Sequence, residues 1–475
     1  MRPSARSFSF STIRALLALE SAGCASGPQG TGVPEGPQSA PVRLSVDAGA
    51  DDVVKRCLAN PLGVVARYTD NEAYAAVDPR NPDRVIVVWQ TQSGSGSVMQ
   101  WTRSLDGGGT WSPPRAAPIN ACAGGPVAAA TRASDPWVAF GPDGRAYLSA
   151  LAWTPPLGDG PDLVSALVVV ASSDGGETWD APVAAAVAPS TAVAHDNLGL
   201  TADPTRPGTV YATTTRAETV AGVSYFGRLG FTRSEDGGRT WIPIRPITEA
   251  VNRERIGAPQ IIVDPRTGRL YTVYHRRRRG AESVVGVMRS DDRGETWSAE
   301  SVAAPYVAGE EPRHPATGRP FILAGDIVQA AVSPATGQLV IAYADARRDP
   351  GRRLGVSMVW SADGVRWSSP IALSDTGAET AWLPAVAAGA NGEIGVSYYS
   401  ASFAAPSSEP RARVMLHRFR AEAGGLAPID RVVLDEAGLQ WPGDYQGLVA
   451  MREGFLAVYG REHDIVATSG GTGGR

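Results

Sequence analysis

The chain has 475 residues, 43% of them hydrophobic and 19% charged, with a formal net charge of -4. That length can bury a large core, and the charge balance excludes the strongly basic surface that grips nucleic acid or an anionic membrane. The 54 Gly and 37 Pro favour many turns between short strands over long helices, and Lys55 is the sole lysine, so positive charge is carried almost wholly by arginine.

Taken in chain order, residues 1–24 have the form of an export signal. Arg2, Arg6 and Arg14 make a basic start, Ile13–Leu19 an apolar stretch, and Ser21-Ala22-Gly23 a small-residue run before Cys24. This end resembles a bacterial lipoprotein box, which makes Cys24 the expected lipidation site. Residues 25–41 are rich in Gly, Pro and Ser and read as a flexible tether. The expected product is exported, as a cell-envelope lipoprotein or a secreted protein, with membrane contact only through the lipid. No later segment has the length of a membrane span. In an oxidising compartment the two remaining cysteines, Cys57 and Cys122, most simply pair, tying the lead-in of the first repeat to the loop that leaves it.

Residues 42–475 carry two repeats in phase. The first is a half-apolar strand, a Pro or Gly turn and a second strand. It occurs at Ala75–Trp89, Trp137–Leu151, Leu198–Thr213, Gln260–Tyr274, Gln329–Tyr343, Pro384–Tyr398 and Gly447–Tyr459. The second is the phrase Ser-x-Asp-x-Gly-x-Thr-Trp at Ser104–Trp111, Ser172–Trp179, Ser234–Trp241 and Ser290–Trp297, with a shortened copy at Ser361–Trp367. Asp accepts backbone N–H bonds in a tight turn and Gly supplies its backbone shape. Thr and Trp are expected to start the next strand, where the Trp ring is buried. The aspartates of this phrase therefore read as structural.

Seven units of four short strands, about 60 residues each, argue for an all-β, seven-bladed β-propeller, because one such sheet cannot bury both its faces alone. The seventh unit has room for three strands after Gly447, so Val42–Val46 is expected to supply the fourth and close the ring with both chain ends. The alternative is a six-bladed ring with extra strands.

The Asp phrase resembles the Asp-box (BNR) repeat of the sialidase superfamily, and the resemblance covers nearly all of residues 42–475. It implies a propeller whose active site lies opposite the Asp boxes, with three arginines on the substrate carboxylate and a tyrosine nucleophile. The Arg-Ile-Pro motif that usually precedes the first Asp box in that family is absent from this sequence.

Strand topology independently puts the intra-pair turns and the Asp phrases on one rim. The longer, more varied loops fall on the other rim, where binding residues tend to gather. Aligning the first strands on their turns gives a column at the channel mouth: Glu72, Asp135, Asn197, Ala258, Ile327, Leu383 and Tyr445. Asn71, Asp196, Asp326 and Asp444 stand just before it. Tyr445, Glu72 and Asp135 are the catalytic candidates, since carboxylates gathered there suit acid–base work on a glycosidic bond. The same carboxylates could instead cap strand ends, bind water or hold a structural Ca²⁺; no catalytic metal or other cofactor is expected. The loops of blades three to five are basic, and Arg216, Arg276 and Arg347, with Asn197 and Asp444, are the candidates for substrate binding. Two functions fit: a sialidase-like exo-glycoside hydrolase acting on an acidic or polar glycan, or a propeller that binds glycan or protein without catalysis. Either is expected to be a monomer whose partner is a glycan or glycoconjugate.

Overall fold

The computed structural model describes residues 39–45, 51–59, 68–94, 96–154, 165–188, 193–220, 223–248, 254–278, 282–314, 318, 320, 327–349, 353–374, 379–403, 411–438 and 442–470. Their strands form seven antiparallel sheets of four strands each. The first strands of the blades are Thr69–Asp78, Arg132–Phe140, Val193–Ala202, Glu254–Val263, Gln329–Val332, Glu379–Ala388 and Gly447–Ala450. Each abuts the next, and the seventh abuts the first, so the sheets close into a seven-bladed ring. The six-bladed alternative is thereby set aside.

In the first six blades the strands follow sequence order outward from the channel. In blade 7 the fourth strand is Val42–Arg43, which pairs with Asp464–Gly470 through Val42 opposite Ala467 and Arg43 opposite Val466. Both chain ends therefore share the closing blade. The pairing runs one step past the strand proper, because Leu44 N–H donates to the Ile465 carbonyl at 2.8 Å. Val46 lies outside the described residues.

The cores lie between blades. Ile86, Val88, Met99 and Trp101 of blade 1 pack on Val138, Leu148 and Val168 of blade 2, and equivalent clusters recur around the ring. Each fully buried aliphatic side chain contributes on the order of 1.5–3 kcal/mol, so the blade interfaces hold most of the driving force. Alternation in the strands produces this directly, since every second residue faces a neighbouring blade.

The repeated aspartate turns fasten these interfaces. In blade 1, Gly108 N–H donates to Ser104 Oγ at 2.8 Å, while Thr110 N–H and Oγ1–H donate to the two oxygens of Asp106 at 2.8 and 2.7 Å. The fourth strand, Arg115–Ala116, starts only after this turn. Thr110 and Trp111 thus complete the turn rather than open the strand as expected. The Trp111 indole N–H returns to the Gly108 carbonyl at 3.1 Å, which pins the ring to the turn. The glycine at the fifth position of the turn is pressed against the preceding blade. A Cβ on Gly294 would lie 2.2 Å from Phe231 Cζ, and one on Gly176 would lie 2.6 Å from Ile86 Cδ1.

The helix Asp52–Leu58 caps the outer corner of blade 1. Asp51 accepts the Val53 and Val54 amides at its N-terminus, at 2.7 and 3.1 Å. Cys57 is disulfide-bonded to Cys122, which lies in the short 3-10 turn Ala121–Ala123. No helix among the described residues is long and apolar enough to cross a membrane.

Candidate functional site

The column aligned from sequence coincides with a recurring irregularity in the blades. In blades 1, 2, 3, 4 and 6 the pairing of first and second strands slips at the same place. The slips fall between Asn71 and Tyr74, Ser134 and Trp137, Asp196 and Leu198, Gly257 and Gln260, and Trp382 and Ala385. Such bulges bend a strand and re-aim its side chains. Glu72, Asp135, Ala258 and Leu383 sit within them at φ of 55°, 54°, 48° and 50°. A side chain in this left-handed region costs about 1 kcal/mol or more. The strain occurs with Ala258 and Leu383 as well as with the acids, so it belongs to the blade architecture.

Blades 7, 1, 2 and 3 bring Tyr445, Glu72, Asp135 and the neighbouring Asp196 and Asp444 together. The Asp135 amide donates to Glu72 Oε2 at 3.2 Å, and the Glu72 amide donates to the Pro442 carbonyl at 3.1 Å. Glu72 and Tyr445 are each 5% exposed, while Asp135, Asp196 and Asp444 are half-buried. Burial, and then the charges of Asp135, Asp444 and Asp196, push the Glu72 carboxyl well above its usual range. Burial and the Asp196 charge push Asp135 up to about 8. At neutral pH Asp135 therefore keeps its proton. The Tyr445 phenol is raised by burial and then by Glu72 and Asp135, and it donates to the Pro136 carbonyl at 3.0 Å.

Two residues after the column, Tyr74, Trp137 and Gln260 form a floor across the channel. Tyr74 stacks on Trp137 at a centroid distance of 3.8 Å, and Trp137 meets Tyr445 at 5.7 Å. The Gln260 side-chain oxygen Oε1 accepts the Ala330 amide at 2.6 Å. Sequence reading missed this layer, although its position in phase with the column on the same strands was the available signal. On the aspartate-turn side of the floor lies a channel of about 370 Å³, walled by uncharged residues of all seven first strands. On the other side, the cavity bounded by Asp135, Leu198, Ala258, Ile327 and Tyr445 holds about 20 Å³. That is room for a single water, which needs about 10–15 Å³, and not for a sugar ring.

The arginine candidates stand on the carboxylate rim with partners of their own. Arg276 is 9% exposed; its Nη1 binds Glu254 at 2.6 Å and its Nε binds Glu300 at 2.8 Å, where Tyr274 also donates at 2.7 Å. Arg347 pairs with Asp345 at 2.9 Å and reaches Glu282 at 3.5 Å, with a third of its side chain exposed. Arg216 lies in the second strand of blade 3, opposite His195. Burial and the Arg216 charge lower that imidazole to about 4, so it is neutral. Only the backbone of Asn197 is described, and Cys24, Asp326 and Arg279 lie outside the described residues. Among the described residues, no group of three or more His, Cys, Asp or Glu is placed to hold a metal ion.

Fold and site together define a seven-bladed β-propeller with a carboxylate-bearing mouth above an aromatic floor. No family model matches the chain, and no curated protein matches it. Among solved structures it is similar to a protein of unknown function from Dyadobacter fermentans, at 17% identity over 74% of this chain and 94% of that one, with a TM-score of 0.48. It is also similar to a Hadza microbial sialidase, at 16% identity over 85% and 66% of the two chains, with a TM-score of 0.44. A leech intramolecular trans-sialidase follows at 13% identity over 91% and 70%, with a TM-score of 0.43. These likenesses are distant, and the propeller is defined by its own strand pairing.

Proposed function

We propose that this protein binds a polar glycan across the carboxylate rim without hydrolysing it. The observation that carries this reading is the burial of the groups that chemistry would need. Tyr445 is 5% exposed with its hydroxyl on the Pro136 carbonyl, and the adjoining cavity of about 20 Å³ admits no sugar. A nucleophile must come within about 3–3.5 Å of the anomeric carbon, which this packing opposes. Arg276, with two glutamates on its guanidinium, is committed to holding blade 4 together. The half-buried Asp135 and Asp196, with Asp444 beside them, and Arg347, a third exposed although it pairs with Asp345 and Glu282, would make the polar contacts with a ligand lying across the mouth.

A sialidase-like glycoside hydrolase is the second reading, and one observation favours it. Asp135, held at about 8, is a protonated carboxylic acid at neutral pH, the state that a general acid requires. A glycan array probed with the full chain tests the first reading. Saturable binding that weakens about tenfold or more in Asp444→Asn or Arg347→Ala supports it, on the scale of a lost charge-assisted contact. Binding unaffected by both changes, or none to any glycan, would remove it.

A further inference from the structure

The chain's two ends meet beside a buried acid that neither functional reading uses. Asp70, in the first strand of blade 1, is 1% exposed, and its amide donates to the His463 carbonyl of blade 7 at 3.0 Å. One carboxyl oxygen, Oδ1, accepts the Thr91 hydroxyl, whose own oxygen accepts Gln100 Nε2 at 2.6 Å. The other, Oδ2, is buried and has no hydrogen-bond partner. Ser45, two residues past the strand Val42–Arg43, Asp464 from the C-terminal strand and the Trp89 indole lie near the carboxyl.

Those neighbours are what hold the ring shut. The Ser45 hydroxyl accepts the Ile465 amide at 3.0 Å and donates to Asp464 Oδ1 at 3.2 Å, and Arg43 binds the same oxygen at 2.8 Å. Further along, the Ser469 amide donates to Ser39 Oγ at 2.9 Å. Among the described residues, the charged and titratable groups facing Asp70 are thus Asp464, its partner Arg43, and His463, whose Nδ1 lies 3.5 Å from Thr69 Oγ1. The second and third strands of blade 1 present only the neutral Trp89, Thr91 and Gln100. An ionised Asp70 would face the Asp464 carboxylate with one donor for two oxygens, in a seam that excludes water. A buried charge so poorly paired is strongly disfavoured.

We propose that the ring-closing seam is a proton-operated latch, shut while Asp70 carries its proton and loosened when it ionises, freeing the N-terminal segment 39–45, with its strand Val42–Arg43, from Asp464–Gly470. Burial, opposed chiefly by the Thr91 hydrogen bond and reinforced by Asp464, raises the Asp70 carboxyl from 3.8 to about 7. Because the closed state has the higher value, closure is strongest below about 4 and is lost as pH rises toward 7. One linked proton changes the opening equilibrium about tenfold per pH unit across that window.

Hydrogen exchange by mass spectrometry on the full chain, corrected for the intrinsic pH dependence of exchange, reads the seam locally. Protection at Leu44, Ile465 and Ser469 should fall about tenfold per unit between pH 4 and 7 and level off above, while Leu270–Arg278 in blade 4 stays constant. Asp70→Asn should abolish the fall. A cross-link through Val42→Cys and Ala467→Cys, which face each other across the seam, should abolish it independently of how Asp70→Asn folds. Seam protection that does not change with pH in the wild type, or a slope that survives Asp70→Asn, would overturn the proposal.

Discussion

The Asp135 amide donates to the Glu72 carboxylate across the boundary between blades 1 and 2, so the two acids are held as one unit at the channel mouth. Each occupies a left-handed bulge, and each is raised by burial and by its acidic neighbours. This pair links the ring's geometry to its pH behaviour.

Replacing Asp135 by Asn tests the pair. Burial and Asp196 push the folded carboxyl up to about 8 from its ordinary 3.8, so its contribution to stability is present below about 4 and is lost as pH rises toward 8. Asp135→Asn should therefore be more stable than the wild type at pH 8, by about 1–3 kcal/mol, and unfold at a correspondingly higher temperature, with no advantage at pH 4. Calorimetry at the two pH values measures the difference. An equal effect at both would show that Asp135 is not protonated in the folded protein.

The aspartate turns have the opposite sign. In blade 3, Asp236 accepts the Thr240 amide and hydroxyl, at 2.9 and 2.6 Å, and the Ser234 hydroxyl at 2.8 Å. Burial opposes the ionised form, but these bonds outweigh it and hold the carboxyl down at about 2. Its contribution is present above about 4 and is lost as pH falls toward 2. Asp236→Asn should cost about 1 kcal/mol at pH 7, a modest figure because the turn is solvent-screened, and the difference should vanish near pH 2. Denaturant titrations at pH 7 and 2.5 check it.

Gly294 is required twice, by its φ of 84° and by the Phe231 ring where a Cβ would stand. Gly294→Ala should cost about 2–4 kcal/mol, from backbone strain and overpacking together. Phe231→Ala removes the clash but leaves the strain, so the double variant should be less unstable than the sum of the singles. Additive losses in a double-mutant cycle would mean that the ring does not limit the turn.

The ring was legible in the sequence because the repeats are local and periodic. Each Asp phrase specifies its own hydrogen bonds, and the strand left out of blade 7 could be assigned to Val42–Val46 by counting. The column at the mouth was legible as an alignment, but its meaning was not. That Glu72 and Asp135 sit at bulges depends on strand register, which residue types do not encode. The engagement of Arg276 by Glu254, in the first strand of its blade, and Glu300, just before the fourth strand Ser301–Tyr306, is brought about only by folding. Asp70 was hidden for the same reason, since its partners come from both ends of the chain.

The most direct measurement is product release from a panel of fluorogenic glycosides, led by a sialic acid conjugate, with the wild-type chain and Tyr445→Phe. Binding without turnover requires no release from any substrate, and no difference between the two proteins. Release that is lost in a folded Tyr445→Phe variant would contradict it and make the buried phenol a catalytic group.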